Sequence, residues 1–199
     1  MSAQIALGRG GINNAAKRPF ENAIASLPDN LPNLAHVGRL DKESEGLLLL
    51  TNDGDLAFRI THPKFKLEKE YLVTLDREFQ PEDSAKTKKG VYLAEGRARF
   101  DSIAKVNPRQ VRVVLTQGMK RQVRRVLAAL GYKVKRLQRV RIGPLTDQGL
   151  RSGAVRLLSK TEVGLLTKRP KKLSIASVGA SRGARVDSPL KKAEANIKP

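Results

Sequence analysis

An aspartate lies where a run of mixed charge meets a block of leucines. Residues 38–46 read Gly38-Arg39-Leu40-Asp41-Lys42-Glu43-Ser44-Glu45-Gly46, and Leu47-Leu48-Leu49-Leu50 follow at once. The leucine block suits a strand buried on both faces. Asp41 is therefore either part of an ordinary solvated loop or a carboxylate held ionised by a neighbouring arginine at the mouth of apolar structure. Composition excludes several other chemistries. The chain has no cysteine, so it has no thiolate zinc site, iron–sulfur cluster, disulfide or thiol nucleophile. Its two histidines, His36 and His62, are too few for a histidine-rich metal site. Asn52-Asp53-Gly54-Asp55 carries acids in the manner of a calcium loop, but Leu56, Ala57 and Phe58 occupy the remaining ligand positions. It is read as a turn in which Asp55 caps a helix. No metal is expected.

Charge points to the partner. Lys and Arg number 39 against 19 Asp and Glu, which leaves +20. Residues 102–146 hold 12 basic side chains and no acid. A polyanion offsets such self-repulsion, with nucleic acid the first candidate and an anionic membrane surface the second. The bland alternative is a charge that serves solubility alone. The eight aromatics are not interleaved with basic residues in one strand, which argues against a stacking-platform module. There is no basic amphipathic helix with bulky aromatics for a membrane surface, and no apolar run of spanning length.

The elements that must position these groups follow from periodicity. With 199 residues, 40% of them apolar, the chain has material for one core. Residues 1–18 read as a flexible leader and 168–199 as a disordered basic tail that adds salt-sensitive attraction to RNA. Between them, Phe20–Leu27 reads as a short helix stopped by Pro28. Leu47–Thr51 reads as a strand, with a helix after Asp55 ending near His62-Pro63. Tyr71, Val73 and Leu75 alternate on one strand face, and Val111–Thr116 is another strand. Lys120–Leu130 is the clearest helix: Val123, Val126, Leu127 and Leu130 form its apolar stripe and Gly131 caps it. Arg121 and Arg125 point away from that stripe; Arg124 lies on its shoulder, about 110° from the centre at roughly 100° per residue. Val134–Ile142 reads as a basic strand. The mixture lacks a βαβ rhythm, so the class is α+β with a mixed, mostly antiparallel central sheet flanked by helices.

Three segments taken together resemble a known family. Gly38-Arg39-Leu40-Asp41 with Ser44-Glu45-Gly46-Leu47-Leu48-Leu49-Leu50-Thr51-Asn52-Asp53-Gly54 resembles the active-site motif of pseudouridine synthases, most closely the RsuA/RluB type that modifies bacterial ribosomal RNA. Lys69-Glu70-Tyr71-Leu72-Val73 resembles the segment bearing that family's tyrosine. Gly118-Met119-Lys120-Arg121-Gln122-Val123-Arg124-Arg125 resembles its basic helix, and Arg139-Val140-Arg141-Ile142-Gly143-Pro144-Leu145 the strand that follows. The likeness runs from Pro19 to Leu166. It implies that Asp41 is the nucleophile in an exchange that turns uridine into its isomer, so no cofactor is needed. It implies that Tyr71 stacks on the extruded base and helps deprotonate carbon 5. Arg124 would pair with Asp41, Arg39 would fill the space the base leaves, and Leu137 or a neighbour would form an apolar wall. Lys120, Arg121, Arg125, Arg139 and Arg141 would contact RNA.

Two departures are expected from that resemblance: no small N-terminal RNA-binding domain, and no apolar strand within residues 1–18. The second favours a noncatalytic RNA-binding or ribosome-assembly protein built on the same fold; the joint presence of Asp41, Tyr71 and Arg124 favours the enzyme. The chain is expected to act as a monomer in the cytoplasm. Arg9, Lys17 and Arg18 in an acid-free start are similar to an organellar transit peptide, but one serine and weak amphipathicity argue against that location.

Overall fold

The leucine block forms the strand its composition demands. Leu47, Leu49 and Leu50 are all 1% exposed or less within the strand Glu45–Thr51. The computed structural model describes the backbone of residues 5–10 and the whole of residues 34–167. The expected helix at Phe20–Leu27 and the basic tail lie outside the described residues.

In chain order the strands are β1 (Ile5–Gly10), β2 (Ala35–Val37), β3 (Glu45–Thr51), β4 (Lys69–Leu75), β5 (Val91–Leu93), β6 (Gly96–Ala98), β7 (Ser102–Asn107), β8 (Gln110–Leu115), β9 (Val134–Ile142), β10 (Leu145–Thr146) and β11 (Val155–Leu157). The helices are α1 (Gly54–Thr61), α2 (Asp83–Lys89), α3 (Gln122–Ala129) and α4 (Lys160–Thr167). The main sheet runs β11-β1-β3-β9-β4-β8-β7, with β2 added on β3 and β10 on β9, while β5 and β6 form a separate hairpin. Among the described residues only the β3–β9 pair is parallel, so the class is α+β with a mixed, mostly antiparallel sheet flanked by helices.

Two apolar clusters flank the middle of this sheet. The larger gathers Val73, Leu75, Val111, Val113, Leu137 and the α3 stripe of Val123, Val126 and Leu127. The smaller gathers Leu47 and Leu49 of β3 with Leu56 and Ile60 of α1 and Leu166 of α4. On β4 the side chains at 71, 73 and 75 face the larger cluster, as their alternation predicts.

Three sequence expectations need correction. The stretch read as a leader contains β1, which pairs antiparallel with β3 along Ile5↔Thr51 to Gly10↔Gly46. Its signal is weak because glycine occupies two of its six positions, and sheet pairing supplies what local propensity does not. The cap of α1 is Asp53, whose side chain accepts from the Leu56 N–H at 3.0 Å, while Asp55 lies inside the first turn. The basic helix starts two residues later than periodicity suggests, because Arg121 has a left-handed backbone (φ 51°). Among the described residues no helix is long and apolar enough to cross a membrane.

Candidate active site

Where β3, β9 and β4 meet, between the two clusters, the surface opens into a cavity of about 670 Å³. Three segments build it. Residues 37–41 and Ser44 form one wall. Lys69, Tyr71, Leu137, Arg139 and Ile142 form its sheet floor. Gln117 to Val123, entering α3, form the other wall. The sequence thus brings Asp41, Tyr71, Arg39, Lys120, Arg121 and Arg139 to one place, and Leu137 supplies apolar floor.

The loop carrying Asp41 is anchored by backbone contacts more than by its own side chains. The Asp41 carbonyl accepts from the Ser44 N–H at 2.8 Å, closing a tight turn. Arg139, only 4% exposed, donates through Nε to the Leu47 carbonyl at 2.7 Å and through Nη1 to the Arg39 carbonyl at 3.3 Å. From the other side Arg124 donates through Nη2 to the Glu43 carbonyl and through Nη1 to the Val134 carbonyl at 2.9 Å. Two guanidiniums therefore fix the carbonyls of residues 39, 43 and 47 around the aspartate. Gly46 makes the close approach possible. Its φ is +108°, and a Cβ there would lie 2.2 Å from the Arg139 carbonyl oxygen.

Charge is arranged around this loop. Arg121 binds the Glu43 carboxylate at 2.6 Å and holds its pKa below the usual range, with Arg124 and Lys42 adding to the effect. Burial lowers the Arg124 guanidinium from its ordinary range, and the negative charges of Glu43 and Asp41 act against that shift. Lys69 is pushed down by burial and by the charge of Arg139 beside it.

The expected ion pair between Asp41 and Arg124 is not made. Arg124 spends its donors on the two carbonyls, and its Nε is buried without a hydrogen bond, 3.7 Å from a Glu43 carboxylate oxygen. Its influence on Asp41 runs through the loop backbone and through the field. Arg141 also departs from expectation. Parity along β9 would put it on the same face as Leu137 and Arg139, but Glu70 pairs with Arg141 while Tyr71 pairs with Arg139, so Val140 is bulged out. The bulge turns Arg141 to the opposite face. There it is 13% exposed and bound to Glu70 at 2.7 Å and Glu68 at 3.1 Å. Arg125 is also off the cavity, paired with Glu95 at 2.8 Å.

Lys69, Gln117 and Gln122 line the cavity and were not singled out from sequence. Lys69 was findable, since it stands two residues before Tyr71 on one strand and so shares its face. Gln122 donates to Gln117 at 2.8 Å, and both are held by the remote Arg97 and Arg99 backbone, contacts that leave no local signal. Among the described residues, no group of His, Cys, Asp or Glu could hold a metal ion.

Comparison with known proteins agrees with this geometry. A family model for RNA pseudouridylate synthases matches residues 5–129, from β1 through the Asp41 loop and Tyr71 to the end of α3. An uncharacterized RNA pseudouridine synthase of Aquifex aeolicus (strain VF5) is 38% identical over 156 residues, 76% of this chain and 61% of that protein. Ribosomal small subunit pseudouridine synthase A of Salmonella typhimurium is 39% identical over 130 residues, 64% of this chain and 56% of that protein. The chain thus spans little more than half the length of these two relatives. A crystal structure of a pseudouridylate synthase matches with a TM-score of 0.71 at 31% identity, covering 83% of this chain and 74% of that one. The family match takes in β1 to β8, the Asp41 loop and α3 with Arg124, and the chain belongs to the RNA pseudouridine synthase family.

Proposed function

We propose that this chain isomerises a specific uridine of ribosomal RNA to pseudouridine, with Asp41 as the nucleophile. The observation that carries the reading is the joint presence of Asp41 and Tyr71 in one cavity, rimmed by Arg39, Lys120 and Arg121. Its volume is in the range that encloses a small ligand. A paired base cannot be reached, so the target nucleotide must be extruded at a cost of a few kcal/mol. Arg39, exposed at the rim, is placed to fill the gap left in the strand. Lys120 and Arg121 offer charge to the phosphates. Asp41 attacks the nucleotide, the bond between nitrogen and sugar breaks, and the uracil turns. Carbon 5 then bonds to the sugar, the bond to Asp41 breaks and returns its carboxylate, and carbon 5 loses its proton, assisted by Tyr71, whose flat face also holds the base, while the freed ring nitrogen takes one up. The product is an isomer, so the balance needs no cofactor.

Arg124 and Arg139 act as positioning residues, since a nucleophile displaced by an ångström loses much of its rate. Ribosomal RNA is favoured because the Salmonella relative bears that designation. The noncatalytic alternative rests on the lack of a strand within residues 1–18, and the pairing of β1 with β3 speaks against it. The test is a map of pseudouridines in ribosomal RNA from cells with and without the gene. Loss of pseudouridine at one uridine is expected; identical maps would overturn the reading.

A further inference from the structure

Tyr92 is the most exposed large apolar side chain of the described residues, at 81%. Its neighbours on β5, Val91 and Leu93, pack against the larger core, so Tyr92 stands on the outer face of the β5–β6 hairpin. Its cross-strand partner on that face is Arg97. Lys88 and Lys89 end α2 just before the hairpin, and Arg99 follows it. Arg97 gives its Nε to the Lys89 carbonyl at 2.7 Å. The acid in the hairpin turn, Glu95, is taken by Arg125. Lys88, Lys89, Arg97 and Arg99 consequently have no carboxylate partner among the described residues.

The hairpin is stitched to the cavity. Gln117 donates to the Arg97 carbonyl at 3.3 Å and accepts from the Arg99 N–H at 3.0 Å. Gln122 donates to the Arg99 carbonyl at 2.9 Å. Both glutamines line the cavity that holds Asp41.

An open aromatic ring on a hairpin flanked by cations without a carboxylate partner fits a nucleic-acid strand: the ring takes a base and the cations take phosphates. Bases of a duplex are already stacked on one another, so the ring gains only from an unpaired one. A membrane surface would call for several bulky apolar groups, where this face offers one. We propose that the outer face of the hairpin is a second RNA contact, at which Tyr92 stacks on an unpaired base outside the cavity while Lys88, Lys89, Arg97 and Arg99 hold the adjoining phosphates. The proposal rests on the RNA reading above and adds which form of RNA lies beside the target.

The test uses the full chain with two fluorescein-labelled probes, a single-stranded oligouridine and a fully paired RNA duplex of the same length, by anisotropy at fixed salt. Tyr92→Ala should weaken oligouridine binding by about 5- to 100-fold and leave duplex binding nearly unchanged, while Tyr92→Phe should bind like wild type. Arg97→Ala should weaken both probes and lower the salt slope by about one. The proposal is overturned if Tyr92→Ala binds oligouridine as tightly as wild type, if both probes lose equally, or if wild type does not bind oligouridine. The same series in an Asp41→Asn background keeps the two readings apart: pseudouridine formation by wild type decides the reaction, and the affinity difference at Tyr92 decides the hairpin.

Discussion

Arg124 and Arg125 are adjacent and equally charged, yet the fold gives them different work. Arg124 is largely buried, with its donors on the Glu43 and Val134 carbonyls. Arg125 is a half-buried partner of Glu95. Arg124→Ala leaves two carbonyls unpaired, a cost of about 1–3 kcal/mol, and frees one side of the nucleophile loop. Single-turnover pseudouridine formation at saturating enzyme should fall by at least about tenfold, equivalent to 1.4 kcal/mol of barrier, with RNA affinity changed far less. Arg125→Ala should cost under about 1 kcal/mol of stability and act mainly on RNA affinity. Arg124→Lys should recover only part of the rate, since an ammonium cannot span two carbonyls as a planar guanidinium does. Equal rate losses in the two alanine variants would contradict this division.

Between elements, the contact that sets the site is the parallel pair of β3 and β9, where Gly46 meets Arg139. Gly46→Ala would place a methyl group against backbone in a left-handed conformation. Chemical denaturation should show a loss of about 3 kcal/mol or more; a loss near zero would mean that the strands are not this close. A second element shows its own pH signature. Ser159 and Glu162 form a reciprocal cap at the start of α4, the Ser159 N–H giving to the Glu162 carboxylate at 2.9 Å and the Glu162 N–H to the Ser159 hydroxyl at 3.3 Å. The Arg156 guanidinium first, then the Ser159 N–H, lower the Glu162 pKa to about 2. The unfolded chain therefore binds this proton at a higher pH than the folded one. The stabilisation is complete above the ordinary value of 4.5 and fades as pH falls toward about 2. Glu162→Gln should lose less stability than wild type across that window in denaturation series, and equal losses would refute the assignment. The leucine strand, the stripe of α3 and the alternation on β4 were legible in the sequence. The Val140 bulge, which turns Arg141 away, was not, because register depends on a partner strand remote in sequence. β1 was hidden for a similar reason: two of its six residues are glycine, and its partners are the remote β3 and β11.

At the scale of the whole molecule, the sheet joins two separate apolar clusters and leaves the cavity at their boundary. Each wall of the site is thereby backed by packed structure, while the opening stays wet and basic. On the proposed function, the chain's +20 charge would draw RNA to the surface without sequence preference, and the held loop would be where the specific chemistry takes place. Binding and reaction are thus separable, and one substitution distinguishes them. Asp41→Asn keeps the size and place of the side chain and removes its charge as well as its nucleophilicity. Purified wild-type and Asp41→Asn chains should be compared on ribosomal RNA for affinity and for single-turnover pseudouridine formation. The variant is expected to bind nearly as wild type and to form no pseudouridine; turnover above a few per cent of the wild-type rate would contradict the role of Asp41.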